Sequence, residues 1–289
     1  MDCTIVKNYR NDDKLRASFN RLVQKTFGFD FSQWYENGYW NENYIPYSIL
    51  SNGEIIANVS VNLTEFCVDG RLRMYIQLGT VMTDEKFRNK GLIRTLMKEI
   101  DSDFQDKCDG MYLFANAEVV NFYPKFGFVG ASETQYSRKV SGNSDCSAKR
   151  ILMETISDWE KLVQALDVSI ENGSFEMIGN SDLIMFYVTS FMKDCVYYIE
   201  PLDTYVIAEI EDSELLIHKI ISKKVEDIHV IAGSFGSQIK KVRLGFTPFD
   251  TQAFDSEIIY DPDTILFVRG AELADFSKMR KMFPTLSHA

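Results

Sequence analysis

The sequence lacks the features that would place it in a membrane, in a disulfide scaffold or on nucleic acid. No apolar run approaches the roughly 20 residues a helix needs to cross a bilayer, so no membrane segment is expected. The first residues, MDCTIVKNYRNDDK, have no apolar centre and do not read as a signal peptide. Five cysteines (Cys3, Cys67, Cys108, Cys146, Cys195) are odd in number, widely spaced and form no C-x-x-C pair. Neither a disulfide frame nor a metal site is expected, and a reducing cytoplasm is the simplest setting. Positive charge is in deficit, with 31 Lys and Arg against 42 Asp and Glu, a net −11. Such a chain is a poor candidate for holding nucleic-acid phosphates. The deficit is uneven: residues 1–140 carry 17 basic and 18 acidic side chains, residues 141–289 carry 14 and 24.

What is present is ordinary for a globular protein. The 289 residues are 45% hydrophobic and 25% charged, enough for a sizeable core and two domains. The most informative stretch is 71–128. It begins with an alternating, then continuous, apolar strand (RLRMYIQLGTVMT, 71–83) and turns at DEKFRNKG (84–91). Leu92, Ile93, Leu96, Met97, Ile100 and Phe104 follow at spacings of three and four, one apolar stripe on a helix of about four turns. Arg88, Lys90 and Gly91 fall in the turn and Arg94 in the first helical turn. A helix start leaves N–H groups unpaired and carries partial positive charge, so cations there make an anion site. The stretch closes on MYLFANAEVVNFYPKFGF (111–128), expected as a strand, a short helix and a new strand from Gly127 and Phe128.

Arg88-Asn89-Lys90-Gly91-Leu92-Ile93 resembles the Arg/Gln-x-x-Gly-x-Gly/Ala pyrophosphate loop of the GCN5-related N-acetyltransferases (GNAT). Asn121 to Phe128 resembles the F-Y-x-k-x-G-F segment of the same family, at the spacing the family has. Ile93 departs from the pattern, standing where the family has Gly or Ala. The resemblance spans roughly 1–140 and is strongest over 75–128. It implies an α+β acetyltransferase fold using acetyl-CoA as cosubstrate. By the same resemblance, backbone of Val81, Met82 and Thr83 binds the pantetheine arm. Arg88, Asn89, Lys90, Gly91, Leu92, Ile93, Arg94 and Thr95 bind the pyrophosphate, Asn121 reaches the pantetheine amides, and Tyr123 is the general acid. Read as residues alone, Lys90 and Arg94 have the alternative of surface charges, although their place beside the helix start favours a ligand; Tyr123 has the alternative of a packing residue, and Asn121 is equally a helix-surface residue.

The rest of the chain supports that frame. Residues 12–27 place Leu15, Phe19, Leu22 and Val23 on one helical face, capped by aspartates. Residues 27–48 are dense in aromatics and lie over the acceptor in the resembled family. Phe27 and Phe31 are expected in the core, while Trp34, Tyr35, Tyr39 and Trp40 are placed to hold an ammonium by their ring faces. Asn52-Gly53 and Asp69-Gly70 between apolar runs predict two hairpins. Residues 141–149, small and polar, read as a linker between a domain over 1–140 and another over 150–289. In the second, 156–167 reads as a helix, 183–192 as a buried helix or a strand, 204–222 as strand-turn-strand, and 224–233 and 240–250 as strands. The second half resembles a degenerate copy of the acetyltransferase fold that has lost its cofactor loop, or is an unrelated β-rich domain.

No general base stands out. Glu36, Glu42, Glu65 and Glu118 are candidates, and His218 and His229 sit in apolar runs. His288 is nearly terminal, and some tandem members of the family use the terminal carboxylate, here Ala289. The expected function is acetyl transfer to a primary amine of a small cationic molecule. A non-catalytic acyl-CoA binder and a protein or peptide acetyltransferase remain as alternatives. No nucleic-acid or membrane partner is expected, and the oligomeric state is open.

Overall fold

A computed structural model describes residues 3–141 and 144–288. In the first half the elements are β1 (Cys3–Lys7), α1 (Asp13–Phe27), α2 (Ser32–Glu36), β2 (Tyr44–Ser51), β3 (Glu54–Val68), β4 (Arg71–Thr83), α3 (Leu92–Phe104), β5 (Gly110–Ala115), β6 (Val129–Gly130) and β7 (Thr134–Lys139). The chain continues through β8 (Ala148–Ile151), α4 (Ile156–Asp167), β9 (Gly173–Ile178), α5 (Ser181–Ser190), β10 (Val196–Ile199), β11 (Thr204–Glu211), β12 (Glu214–Ile221) and α6 (Ile228–Ser234). It ends with β13 (Lys241–Leu244), β14 (Thr247–Pro248), β15 (Asp255–Ile258), β16 (Ile265–Arg269) and α7 (Phe276–Met279).

Local sequence accounts for most of these elements. The Asp12 carboxylate caps α1 by accepting from the amides of Lys14 and Leu15, and Phe19, Leu22 and Val23 are buried on its inner face. Both hairpin turns have two consecutive positive-φ residues, Asn52-Gly53 and Asp69-Gly70, which matches the twist of the strands they join. In α3 the buried positions are Leu96, Met97 and Ile100. Residues 183–192, ambiguous by periodicity, fall mainly in the helix α5, whose apolar side chains are buried nearly all round.

Two mixed sheets result. The first runs β1-β2-β3-β4-β5-β16-β6, with β9 pairing the far end of β3 and β14 pairing β9. The second runs β15-β7-β13-β12-β11-β10-β8. Each has one parallel pair, β4 with β5 and β12 with β13. The halves exchange a strand: β16 inserts beside β5 in the first sheet, and β7 beside β13 in the second. The division between the sheets therefore does not fall at residue 140. An apolar cluster built from Phe31, Trp34 and Tyr75 of the first half and Leu183, Phe186 and Phe283 of the second joins the two.

Several expectations need correction. Residues 224–233 do not form a strand: Asp227 caps α6 by accepting from the His229 amide, and Ile231, Ala232 and Ser234 are buried. β-branched residues at 228, 230 and 231 imitate a strand pattern, but the cap and the burial are helical. A short helix thus stands after β12 in place of the expected strand. Phe27 is 46% exposed rather than in the core, whereas Phe31 is buried. The short helix expected within 111–128 is two 3-10 turns, Ala117–Val119 and Tyr123–Phe126. Ala148 and Lys149, read as linker, begin β8.

Candidate functional site

The site is organised by an interruption in β4. Ser60 pairs with Gly79 and Asn58 with Met82, so Val59 faces both Thr80 and Val81 across a β-bulge. Thr80 takes φ +47, an unusual conformation for a β-branched residue. A buried polar chain holds it there. Tyr9 hydroxyl bonds Ser48 Oγ (2.7 Å), Ser48 Oγ donates to Asn58 Oδ1 (2.7 Å), and Asn58 Nδ2 donates to Ser60 Oγ and to the Thr80 carbonyl (2.9 Å each). Thr80 Oγ1 bonds the Tyr44 hydroxyl at 2.5 Å. The bulge follows closely on the point where the ladder between β4 and β5 ends. The parallel ladder pairs Tyr75 with Gly110, Ile76 with Met111 and Gln77 with Tyr112, and stops there. Beyond it, Leu78–Thr83 and Leu113–Ala115 form no ladder with each other among the described residues, and the gap between them is a wedge.

Strand alternation gives the wedge two faces. Val81 packs with Leu92, Ile93, Phe122 and Tyr123 under α3, while Met82 belongs to the aromatic cluster on the other side. Above the wedge lies the start of α3. Its N-cap, Gly91, has φ +75 and no side-chain cap bond, and nothing lies within 4 Å of where its Cβ would be. Asn89 is also left-handed (φ +61). The first bond of the helix ladder runs from the Thr95 amide to the Gly91 carbonyl, so the amides of Leu92, Ile93 and Arg94 precede it. Arg88, Asn89, Lys90, Arg94 and Thr95 are exposed. Among the described residues, Arg88, Lys90 and Arg94 have no acidic partner within ion-pair distance. Lys90 lies over the Phe87 ring at 4.7 Å. Ile93 directs its side chain into the apolar cluster beneath.

Tyr123 opens the second 3-10 turn and is buried against Phe122, Phe128 and, from β16, Phe267 (ring centroids 5.3, 6.3 and 5.7 Å). Burial pushes its phenol up to about 12, and the hydroxyl has no hydrogen-bond partner among the described residues. Arg269 of β16 pairs with Asp101 of α3, donates to the Phe126 carbonyl (2.9 Å) and lies over the Phe128 ring. A strand from the second half therefore fastens α3 to the Tyr123 turn, a feature that no local motif announced. Asn121 is exposed beside that turn, with no side-chain bond among the described residues.

On the Met82 face, a cavity of about 200 Å³ reaches Thr80. Phe27, Phe29, Phe31, Trp34 and Tyr44 line it from the first half. Leu183 and Phe186 of α5 line it from the second. Trp40 is enclosed in the core, Tyr35 is covered by the Arg16 guanidinium at 3.6 Å, and Tyr39 is not on the wall. Of the four ring faces expected for a cation, only Trp34 lines the space. None of Glu36, Glu42, Glu65 and Glu118 lines it either, and Glu42 pairs with Arg10. His218 is the extra residue of a bulge in β12, where Ile207 pairs with Lys219 and Ala208 with Ile217. His229 lies in α6.

The chain's end arrives beside the wedge. The His288 ring stacks on Phe114 of β5 (3.7 Å), its carbonyl accepts from the Tyr187 hydroxyl, and Tyr112 donates to the Ser287 carbonyl (3.0 Å). Burial pushes the His288 imidazole down to about 3, so it is neutral near pH 7. Ala289 lies outside the described residues.

Residues 12–128 match the model of the Acetyltransferase (GNAT) family. A probable N-acyltransferase from Enterococcus faecalis V583 superposes with TM-score 0.66 at 16% identity, over 96% of this chain and 74% of that one. A GCN5-related N-acetyltransferase from Kribbella flavida gives 0.57 at 14%, over 93% and 72%. One from Anabaena variabilis gives 0.55 at 13%, over 93% and 72%. At these identities the likeness is one of fold. No curated protein matches the sequence. The bulged β4, the basic uncapped start of α3 and the family match coincide on the same residues: 12–128 are similar to the GNAT family of acetyltransferases, and the chain has the acyl-CoA N-acyltransferase fold.

Proposed function

We propose that the protein transfers an acetyl group from acetyl-CoA to the primary amine of a small cationic molecule, by direct attack while both substrates are bound. The observation that carries this reading is the wedge beside an uncapped, basic helix start. The residues present fit the substrate. Amides of Leu92, Ile93 and Arg94 that precede the helix ladder, with the cations Arg88, Lys90 and Arg94, which have no acidic partner among the described residues, suit a pyrophosphate. The open approach to Gly91 lets phosphate oxygens near the backbone. Ile93, which departs from the family pattern, leaves that approach clear because its side chain packs inward. The diverging edge of β4 at Val81, Met82 and Thr83 offers backbone groups to the pantetheine amides, with Asn89, Thr95 and Asn121 at the periphery.

The chemistry asks for proximity and one proton. The amine nitrogen attacks the thioester carbonyl carbon, the C–S bond breaks, and the sulfur leaves as thiolate. The Tyr123 phenol is protonated at every physiological pH and supplies that proton. Apolar surroundings disfavour phenolate and thiolate alike, which keeps the two acids closer than their separate values suggest. The N-protonated amide gives its proton to solvent, and the Tyr123 phenolate takes one back, which restores the resting enzyme.

The second half reads as a degenerate copy of the first. Its sheet repeats the strand order, including the parallel pair, a bulge at the matching strand and an exchanged strand. Where the first sheet opens, the second is closed by the chain's end. The Thr285 amide donates to the Gly245 carbonyl (2.9 Å), and Thr285 Oγ1 bonds His218 Nδ1 (2.8 Å).

The test of the reading is Arg88→Glu, which sets an anion against the pyrophosphate. A charge-assisted bond is worth about 1.5–3 kcal/mol, so acetyl-CoA affinity should fall at least tenfold. Unchanged affinity would remove this turn from the cofactor site.

A further inference from the structure

We propose that the acceptor is a primary amine carried on an apolar body, a single ring or short alkyl chain, with the body in the aromatic cavity and the amine directed at Thr80. This rests on the acetyl-transfer reading and narrows it. The cavity meets β4 at its bulge, where the strand turns from the cofactor face to the aromatic face. A molecule filling it thus presents one end to the thioester. Every other wall is aromatic or aliphatic, and among the described residues no Asp, Glu, Lys, Arg or His lines it. Its two hydroxyls, Tyr44 and Thr80, already bond each other. The Tyr44 phenol, pushed up to about 12 by burial, stays neutral.

A polyamine or an amino sugar would carry extra ammonium or hydroxyl groups into a space with no partner for them, and buried unpartnered polar groups are strongly disfavoured. An apolar body loses nothing on entering and gains ring contacts. The mouth continues the same surface: Phe27 is 46% and Phe191 60% exposed, and Phe191 stands edge-on to Phe29 and Phe186 at 5.7 and 5.6 Å. The nearest carboxylate in the wall's helix, Asp182, turns away to the Asn41 amide. The ammonium therefore finds cation–π faces rather than an ion pair before it loses its proton and attacks. The amine forms its bond to the acetyl carbon as the C–S bond breaks, CoA leaves as the thiol, and the product is a neutral amide.

The experiment measures thiol release by the full-length protein with acetyl-CoA and phenylethylamine, hexylamine, spermidine or glucosamine. The expected kcat/KM is at least tenfold higher for the first two. Leu183→Trp, which fills the cavity, should cut that preference at least tenfold while calorimetry shows acetyl-CoA binding intact. Phe27→Ala, at the exposed mouth, should raise KM for phenylethylamine with kcat nearly constant, and covers the case in which the cavity variant fails to fold. Acetyl-CoA binding together with equal or better turnover of spermidine or glucosamine would overturn the pocket assignment and leave acetyl transfer standing. If no amine turns over, calorimetry with phenylethylamine alone decides. Saturable binding lost in Leu183→Trp supports the pocket even as the transfer reading fails, and absence of binding overturns both.

Discussion

Thr80 and Tyr123 are the residues whose surroundings say most about the chemistry. Holding a β-branched residue at positive φ costs on the order of 1–3 kcal/mol, and the bonds from Asn58 and Tyr44 over-determine it. Stored strain of this kind is the usual mark of a strand bent for a ligand rather than for stability. Tyr123, in contrast, is held by apolar packing, and its hydroxyl has no hydrogen-bond partner among the described residues, as the proposed proton transfer needs. Tyr123→Phe keeps that packing and deletes the proton, so kcat should fall roughly 10²-fold with the melting temperature nearly unchanged. Because the folded phenol titrates near 12, the wild-type rate should show no alkaline loss from this group below about pH 10. Wild-type turnover in Tyr123→Phe would return the residue to a packing role.

Among elements, the segment joining β6 to β7 hides a second titrating group. Glu133 is buried, accepts from the Phe283 amide (2.7 Å), and is pushed up to about 8 by desolvation. Below about pH 4.5 the carboxyl is neutral in both folded and unfolded chains, so nothing is lost. As pH rises the unfolded chain gives up its proton first, and stability falls until the folded carboxyl ionises near 8. Glu133→Gln removes that dependence. Its advantage in melting temperature should grow from about pH 5 to pH 8, reaching roughly 3 °C or more. A wild-type protein whose stability is flat over that window would contradict the burial argument. The elements themselves were legible where the signal is local: the Asp12 cap, the Asn52-Gly53 and Asp69-Gly70 turns and the α3 stripe each act within a few residues. α6 was misread because Ile228, Val230 and Ile231 carry a strand's side chains on a helix capped by Asp227. The bulge left no sequence trace, since Thr80 and Val81 look like any strand pair.

At the scale of the molecule, the exchange of β7 and β16 was beyond local reading, because each pairs with a strand more than a hundred residues away. That exchange places Phe267 under Tyr123 and Arg269 on α3, so the second half helps build the site in the first. The loop motif and Tyr123 stand out in sequence because the roles proposed for them depend on residue type at short spacing. The wall of the proposed acceptor cavity was only half visible: Phe29, Phe31 and Trp34 stand in the aromatic run, whereas Leu183 and Phe186 arrive from α5. The uneven acidity of the second half does not extend into that wall. Since the halves share strands and core, stoichiometry has to be read on the whole chain. The most direct measurement is a calorimetric titration of the full-length protein with acetyl-CoA, beside Arg88→Glu. One site per chain is expected, weakened at least tenfold by the substitution. Two equivalent sites, or none, or a single site indifferent to Arg88, would contradict it.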